Sequence, residues 1–184
     1  MPLPLPAKVC DQRLDLDPAC CHLWVDRSQQ LLDYIWSKLE PCMPPIAACV
    51  TEFTRQVTHG QPELCCDQLN VWVDAVSYSQ KSANPRNNLQ CIVISRIRFG
   101  VSLNESCYPT IRQDGNRIVN VQPSELAAVM PWLYSHGETL WRALLNAGSA
   151  FTDPCSGIQV NDFKPVKPSG GCAGWTGTVS VDFV

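Results

Sequence analysis

The pattern of apolar and polar positions along the chain predicts two amphipathic helices. The first is predicted to begin after Ser28, a residue type favoured at helix N-caps, and to end at Pro41. The second is predicted from about Pro123 to Ala147, ending at Gly148, because proline suits the first helical position. Apolar side chains recur at helical spacing in both segments: Leu31, Leu32, Ile35, Trp36 and Leu39 in the first, and Leu126, Val129, Met130, Leu133, Leu140, Trp141, Leu144 and Leu145 in the second.

Alternation with a period of two predicts three well-defined strands. Residues 69–75 and 91–101 alternate apolar and polar side chains, and the polar segment 79–88 lies between them. This arrangement predicts a β-hairpin with a protruding tip. The chain closes on a third alternating run at 175–183, which follows a glycine-dense turn around Cys172.

The remaining segments are predicted to be irregular, apart from one ambiguous stretch. Residues 46–60 fit either a helical turn or a strand, whereas 102–121 and 148–169 lack periodicity and predict loops. We therefore expect residues 1–27 to form an arm or irregular extension and residues 28–184 to form one domain. The order helix–β–β–helix–β predicts an α+β fold, with two main helices packed on a mostly antiparallel sheet.

Composition and charge favour a folded globular chain and exclude several functions. The chain is 45% apolar and 17% charged, which disfavours disorder. Its net charge of −3 provides no basic excess, so wrapping nucleic acid through phosphate contacts is not expected to be its main task. No apolar run is long enough to span a membrane, and the start lacks the basic region of a signal peptide, so we expect synthesis in a cytoplasm.

The eleven cysteines favour structural thiols or disulfides over metal binding. A reducing cytosol disfavours disulfides, but a particle that later leaves the cell can oxidise. Zinc is disfavoured because the closest cysteines are immediate sequence neighbours and lack the usual Cys-x₂₋₄-Cys spacing. We expect Cys65 or Cys66 to lie near Cys107 or Cys172, because all four flank the ends of the predicted sheet. We expect neither a metal nor a cofactor.

A catalytic alternative depends on Cys172. A cysteine hydrolase requires a histidine partner for its nucleophile, and the candidates are His22, His59 and His136. None of these histidines lies in a recognisable local signature, and cysteines in turns are more often structural. The sequence also contains no Walker loop and no G-x-G-x-x-G motif. We therefore expect the protein not to be an enzyme, with a hydrolase using Cys172 as a remote alternative.

Five residues are candidates for contact with a partner. Arg96 and Arg98 are predicted to share one strand face, with Lys81 and Arg86 in the polar loop beside them. These cations fit an acidic partner, although an exposed sheet edge protected by charge is the plainer interpretation. Trp72 is predicted to lie opposite the apolar face of its strand, where either a partner or the core covers it.

Three segments show a family resemblance: residues 65–73 (CCDQLNVWV), the PSEL helix start at 123–126, and residues 170–179 (GGCAGWTGTV). They resemble the neck proteins of long-tailed (siphovirus-type) actinobacterial phages, above all their tail terminators. The resemblance covers roughly residues 29–184 and implies the same helix–β–β–helix–β layout. The chain departs from the family pattern in placing one glycine between Ala173 and Trp175 and in its additional cysteines, Cys10, Cys20, Cys21, Cys42 and Cys49.

The resemblance implies a function in assembly. Tail terminators form a homohexameric ring that caps the tail tube, stops polymerisation of the major tail tube protein and joins it to the head-side connector. DNA passes through the lumen of such a ring without specific binding, and the virion is assembled in the host cytoplasm. Another neck protein, a stopper or an adaptor, is the nearest alternative. A secreted disulfide scaffold is disfavoured because the predicted helices are large and apolar.

Overall fold

Among the residues that it describes, the computed structural model of the chain contains two helices and seven strands. The structure describes residues 23–42, 53–63, 66–82, 90–106, 108–114, 117–169 and 171–183. The helices are α1 at Leu23–Leu39 and α2 at Pro123–Leu145, followed by 3-10 segments at Glu40–Cys42 and Ala147–Ala150. The strands are β1 Thr54–Thr58, β2 Gln68–Ser82, β3 Gln90–Glu105, β4 Arg112–Asp114, β5 Arg117–Val119, β6 Cys155–Ser169 and β7 Cys172–Phe183.

Five strands form one mixed sheet in the order β1-β2-β3-β7-β6. The pairing of β1 with β2 is parallel, and every other pairing in this sheet is antiparallel. Strands β4 and β5 form a separate two-stranded sheet. The predicted α+β class, with two helices and a mostly antiparallel sheet, is confirmed.

The core lies between the helices and one face of the sheet. Register places Leu69 opposite Leu103 and Phe99 opposite Val179, so that alternate side chains of β2, β3 and β7 point to the same side. Removing each such side chain from water stabilises the fold by about 1.5–3 kcal/mol. The core residues with no exposed surface are Leu31, Ile35, Leu39, Leu69, Val71, Ile97, Phe99, Val101, Leu103, Leu140, Leu144, Ala147, Val179 and Val181.

Helix α1 begins earlier than predicted. Ser28 is not the N-cap but lies inside the helix, fully buried, where its Oγ donates a 2.7 Å hydrogen bond to the carbonyl of Trp24. Arg27 lies 3.8 Å from the ring centroid of Phe183 and forms a 2.8 Å ion pair with Asp153. These tertiary contacts extend the helix, so the predicted irregular extension at 1–27 is wrong for residues 23–27. Residues 1–22 lie outside the described part of the chain.

The prediction of an irregular segment at 148–169 is wrong, because β6 occupies most of it and pairs along β7. Three register shifts interrupt the pairing, and one of them contains Asp162, whose φ is +52°. Pro165 and Pro168 also interrupt the periodicity. Proline and irregular backbone are tolerated in β6 because it is an edge strand, whose outer side needs no sheet hydrogen bonds.

Other segments contain more β-strand than predicted. Part of the ambiguous stretch 46–60 is strand β1, and β3 continues beyond its predicted end to Glu105. The region 102–121, predicted as a loop, contains β4 and β5. Strand β2 also continues to Ser82, so that residues 83–89 lie between the two strands of the hairpin.

We predict that truncation after Gly174 abolishes cooperative folding. Strand β7 lies between β3 and β6, so its loss leaves β6 without a pairing partner and removes Val179 and Val181 from the core. Circular dichroism should show no cooperative thermal transition, whereas a control chain truncated after Phe183 should melt like the full chain. An intact, cooperative melt of the Gly174 truncation would contradict this role for β7.

Candidate functional site

A disulfide joins the segment before β2 to the first residue of β7. It links Cys66 to Cys172, which are 106 positions apart in sequence and have Cα atoms 5.3 Å apart. Asp67 beside it has a φ of +56°, and its carboxylate accepts a 2.9 Å hydrogen bond from the first backbone N–H after β3. The prediction that Cys65 or Cys66 lies near Cys107 or Cys172 is confirmed for Cys66 and Cys172. Cys65 and Cys107 lie outside the described residues.

The disulfide bears directly on the hydrolase alternative. A cysteine nucleophile acts as a thiolate, and a sulfur held in a disulfide has no thiolate to offer. Of the candidate partners, His59 is exposed and His136 is buried against a carboxylate, while His22 lies outside the described residues. The oxidised form therefore disfavours Cys172 as a nucleophile.

Two cysteines of the described chain have free thiols. Cys42 is exposed, and Cys155 is partly buried at the start of β6. Burial raises the pKa of the Cys155 thiol, and the nearby charge of Arg27 offsets part of this increase. Among the described residues, no group of three or more His, Cys, Asp or Glu side chains has the arrangement of a metal site.

A buried ion pair fixes helix α2 against the end of β3. Nδ1 of His136 lies 2.5 Å from a carboxylate oxygen of Glu105, and its Nε2 lies 3.0 Å from the backbone carbonyl of Cys42. The imidazole is 1% exposed and the carboxylate 6% exposed, so a substrate cannot reach either group in this arrangement. These contacts hold α2, β3 and the 3-10 segment after α1 together. The role of the pair is therefore structural.

The hydrogen-bond pattern determines how this pair is protonated. A carbonyl oxygen can only accept, so Nε2 of His136 donates to Cys42, and a proton must also lie between Nδ1 and Glu105. Burial raises the pKa of Glu105, and its hydrogen bond with His136 offsets this increase only in part. Burial alone lowers the pKa of His136, but Glu105 and the Cys42 carbonyl together outweigh it and raise that pKa. The pair therefore retains its protons to higher pH than the unfolded chain.

The two arginines proposed to contact a partner lie on the central strand of the sheet. Arg96 forms hydrogen bonds of 2.5 and 3.0 Å to Asp182 on β7, and Arg98 forms an ion pair with Asp74 on β2. The hydrogen bond from Arg96 also lowers the pKa of Asp182. The interpretation that Arg96 and Arg98 protect an exposed sheet edge is wrong, because β3 lies between β2 and β7. Each of the two arginines is also paired with an aspartate of the same chain.

Trp72 is covered within the chain and is not an exposed interface residue. Its side chain is 5% exposed and lies over Gly100, where the indole leaves no room for a Cβ. Asn70 and Ser102 on the same face are also buried and share a 3.3 Å hydrogen bond. The alternative that the fold itself buries Trp72 is therefore confirmed. The side chain of Lys81 and the whole of Arg86 lie outside the described part of the structure.

The β2–β3 hairpin extends beyond the sheet as a two-stranded arm. Pairing of β3 with β7 stops at Arg96, whereas pairing of β3 with β2 continues to the Ser82–Gln90 pair. We define the arm as Tyr78–Ser82 paired with Gln90–Ile94; it projects about 17 Å at ~3.3 Å per residue. No other described strand pairs with the arm, and an isolated two-stranded hairpin is at best marginally stable in water.

An aromatic groove of about 440 Å³ lies between α2 and strands β6 and β7. Its rings form a continuous chain, with centroid distances of 5.7 Å from Tyr134 to Trp175, 5.4 Å from Trp175 to Phe163 and 5.2 Å from Phe163 to Trp141. Trp175 donates a 2.9 Å hydrogen bond to the carbonyl of Leu133. The lining residues are Pro131, Tyr134, Ser135, Gly137, Glu138, Trp141, Phe163 and Trp175.

Sequence reasoning missed both the buried ion pair and the aromatic groove. Gly137 was the available signal for the groove, because a glycine within a helix often marks a close approach of another group. The ring of Trp175 occupies the space that a Cβ of Gly137 would need. The ion pair had no comparable signal, because Glu105 and His136 are 31 residues apart and lie in segments without a shared motif.

No family model and no curated protein matches this chain. The described residues also contain no helix with the length and apolar character needed to cross a membrane. The resemblance to phage neck proteins therefore stays a prediction from the three sequence segments quoted above.

We predict that reduction of the Cys66–Cys172 disulfide destabilises the fold. The disulfide closes a long loop of the chain, because its two cysteines are 106 positions apart. Loss of the disulfide should therefore lower the free energy of unfolding by about 2–5 kcal/mol. Urea unfolding with and without dithiothreitol should show this loss in the wild-type chain but not in a Cys66→Ser/Cys172→Ser double variant. Cys42→Ser, which removes an exposed free thiol, is the control and should behave like the wild type. A wild-type midpoint that reductant does not change would refute the prediction.

We also predict that Glu105→Gln changes how stability depends on pH. Both pKa values of the pair are raised by folding, so the folded chain binds more protons and wild-type stability falls as pH rises. The contribution of His136 is fully present below its unfolded pKa of about 6.5 and is lost above its folded pKa. The variant should therefore lose about 1–3 kcal/mol at pH 5.5 and less at pH 8.5.

Urea unfolding at the two pH values measures this difference. Glu138→Gln is the matched control, because Glu138 forms an exposed ion pair with Arg142 and its loss should change stability little at either pH. A Glu105→Gln deficit that is equal at both pH values would rule out the proposed protonation of the pair.

Proposed function

We propose that this chain is a structural protein of a phage particle, a tail terminator that assembles as a ring on the end of the tail tube. In this role it stops polymerisation of the major tail tube protein and provides a surface for the head-side connector. DNA passes through the ring, and the absence of a basic excess in the chain agrees with passage without specific binding. The proposal is supported by the position of the resembling segments and by the projecting arm.

The resembling segments lie at positions that determine the fold. Residues 65–73 lead into β2, and residues 170–179 form the start of β7. Strands β2 and β7 flank the central strand β3, and the Cys66–Cys172 disulfide links their starting ends. A likeness at these positions supports a shared fold. The observed order of helix, strands, helix and strands contains the helix–β–β–helix–β layout that the family resemblance implies, with β1, β4, β5 and β6 in addition.

The arm is the observation that favours assembly. A ring requires two different patches on each subunit, one of which contacts the other on the next subunit. The arm extends about 17 Å past the sheet, and within the described chain its two strands pair with each other alone. Because such a ribbon gains little stability by itself, a groove or sheet edge of a neighbouring subunit is the natural surface to cover it. Tyr78 at its base is 54% exposed and available for this contact.

We predict that the purified protein forms hexamers, alone or on tube ends, and that a shortened arm prevents this. Replacing residues 80–92 by Asn-Gly closes the hairpin at the Ser79–Val93 pair with a favoured two-residue turn. Light scattering should give about six times the chain mass of 20.4 kDa for a ring of the wild type alone, and a larger mass for rings bound to the tube protein of its own particle. The shortened variant should remain a monomer with a cooperative melt, because its core is intact.

Tube length in the same mixtures distinguishes the candidates. A tail terminator should limit tube growth, and the shortened variant should not. A protein that forms a ring on the head-side connector but leaves tube growth unaffected would instead be a stopper or an adaptor. A stable wild-type monomer that binds neither partner would contradict a role in the neck.

A further inference from the structure

The aromatic groove presents ring surface that the described chain leaves uncovered. Tyr134 is 57% exposed, and Trp141, Phe163 and Trp175 are partly exposed beside it. The floor is fixed, because Trp175 is hydrogen-bonded to the α2 backbone and packs closely on Gly137. A row of rigid aromatic rings with open faces is a preformed binding surface, since little side-chain freedom remains to be lost on binding.

Proline-rich peptides are the ligands that such a surface accepts best. They adopt the extended polyproline II conformation without a partner, so they lose little entropy on docking, and their rings pack on aromatic side chains. This chain contains such a sequence at residues 1–6, Met-Pro-Leu-Pro-Leu-Pro. A polyproline II helix has three residues per turn, so in that conformation Pro2 and Leu5 would share one edge and Leu3 and Pro6 the next.

The intervening chain is long enough to bring this segment to the groove of the same molecule. Arg27 near the start of α1 contacts Phe183, at the opposite end of β7 from Trp175. Those two ends of β7 are about 26 Å apart at ~3.3 Å per residue. Residues 7–22 can extend over about 50 Å at ~3.3 Å per residue, which exceeds that distance and allows a path around the surface.

Charge also agrees with this occupant. Glu138 lies on the rim of the groove with a side chain 61% exposed, and its partner Arg142 is one turn further along α2. Lys8 lies two residues after Pro6, and it is the first charged side chain of the sequence. A lysine next to the docked prolines would be attracted by the carboxylate of Glu138, although an exposed pair of this kind contributes little energy.

We propose that residues 2–6 of the chain dock in the aromatic groove of the same molecule as a polyproline II segment. The tether favours this occupant over free peptides, because it gives the segment a millimolar effective concentration at the groove. Docking brings residues 2–6 to the side of α2 that faces β6 and β7. This inference goes beyond the function proposed above and does not depend on it.

Site-specific photo-crosslinking of the full chain tests the proposal. The photoreactive amino acid p-benzoylphenylalanine replaces Leu3 in one sample and Leu5 in another, and mass spectrometry identifies the crosslinked peptides after irradiation. We expect crosslinks to α2 around Tyr134 and Trp141 and to the strands around Phe163 and Trp175. Tyr134→Ala should lower their yield about twofold to tenfold, as expected for the loss of one aromatic contact.

Matched variants and isotope mixing make the outcomes distinct. Ile111→Ala removes an exposed apolar side chain outside both the groove and the arm and should leave the yield unchanged. In an equal mixture of ¹⁴N and ¹⁵N chains, docking within one molecule produces crosslinked pairs in which both peptides have the same label. Mixed-label pairs would show that a second copy supplies the segment. Mixed labels, crosslinks to other surfaces, or a yield that Tyr134→Ala does not lower would each overturn the proposal.

Discussion

The structure depends on the placement of β7, the last strand in sequence, inside the sheet. It pairs with β3 on one side and β6 on the other and supplies Val179 and Val181 to the core. Contacts hold both of its ends: the disulfide at Cys172 and the packing of Phe183 against Arg27. Because β3 lies far before β7 in sequence, the sheet is completed only after β7 is available. Long-range pairing of this kind is expected to make folding slow.

The candidate binding surfaces are those that the described chain does not cover itself. The central strands have their charges matched by neighbouring strands, as Arg96 and Asp182 show, so this face does not attract a charged partner strongly. The arm and the aromatic groove differ, because the described chain leaves backbone edges uncovered in one and aromatic faces uncovered in the other. Trp175 lines the groove and also holds β7 against α2 through its hydrogen bond to Leu133. The same residue therefore contributes to the stability of the fold and to the binding surface.

The sequence was sufficient to predict the elements with regular periodicity. The α+β class, the β2–β3 hairpin, the final strand and both helices followed from apolar spacing, because one buried face imposes a period on each. Strand β6 was missed because Asp162 and Pro165 interrupt the period that an edge strand does not need. The start of α1 was misplaced because Arg27 gains tertiary contacts that outweigh the local signal at Ser28. The Glu105–His136 pair could not be predicted from the sequence, because that would require knowing that the end of β3 packs against α2.

Amide hydrogen exchange of the arm tests most directly whether this protein functions by assembly. The backbone amides of Tyr78–Ser82 and Gln90–Ile94 should exchange rapidly in dilute monomer, because two strands alone protect them weakly. The same amides should become protected when the protein forms the proposed assembly, while those of β7 remain protected throughout. Arm amides that are as protected in the monomer as in the assembly would contradict the claim that a neighbouring subunit covers the arm.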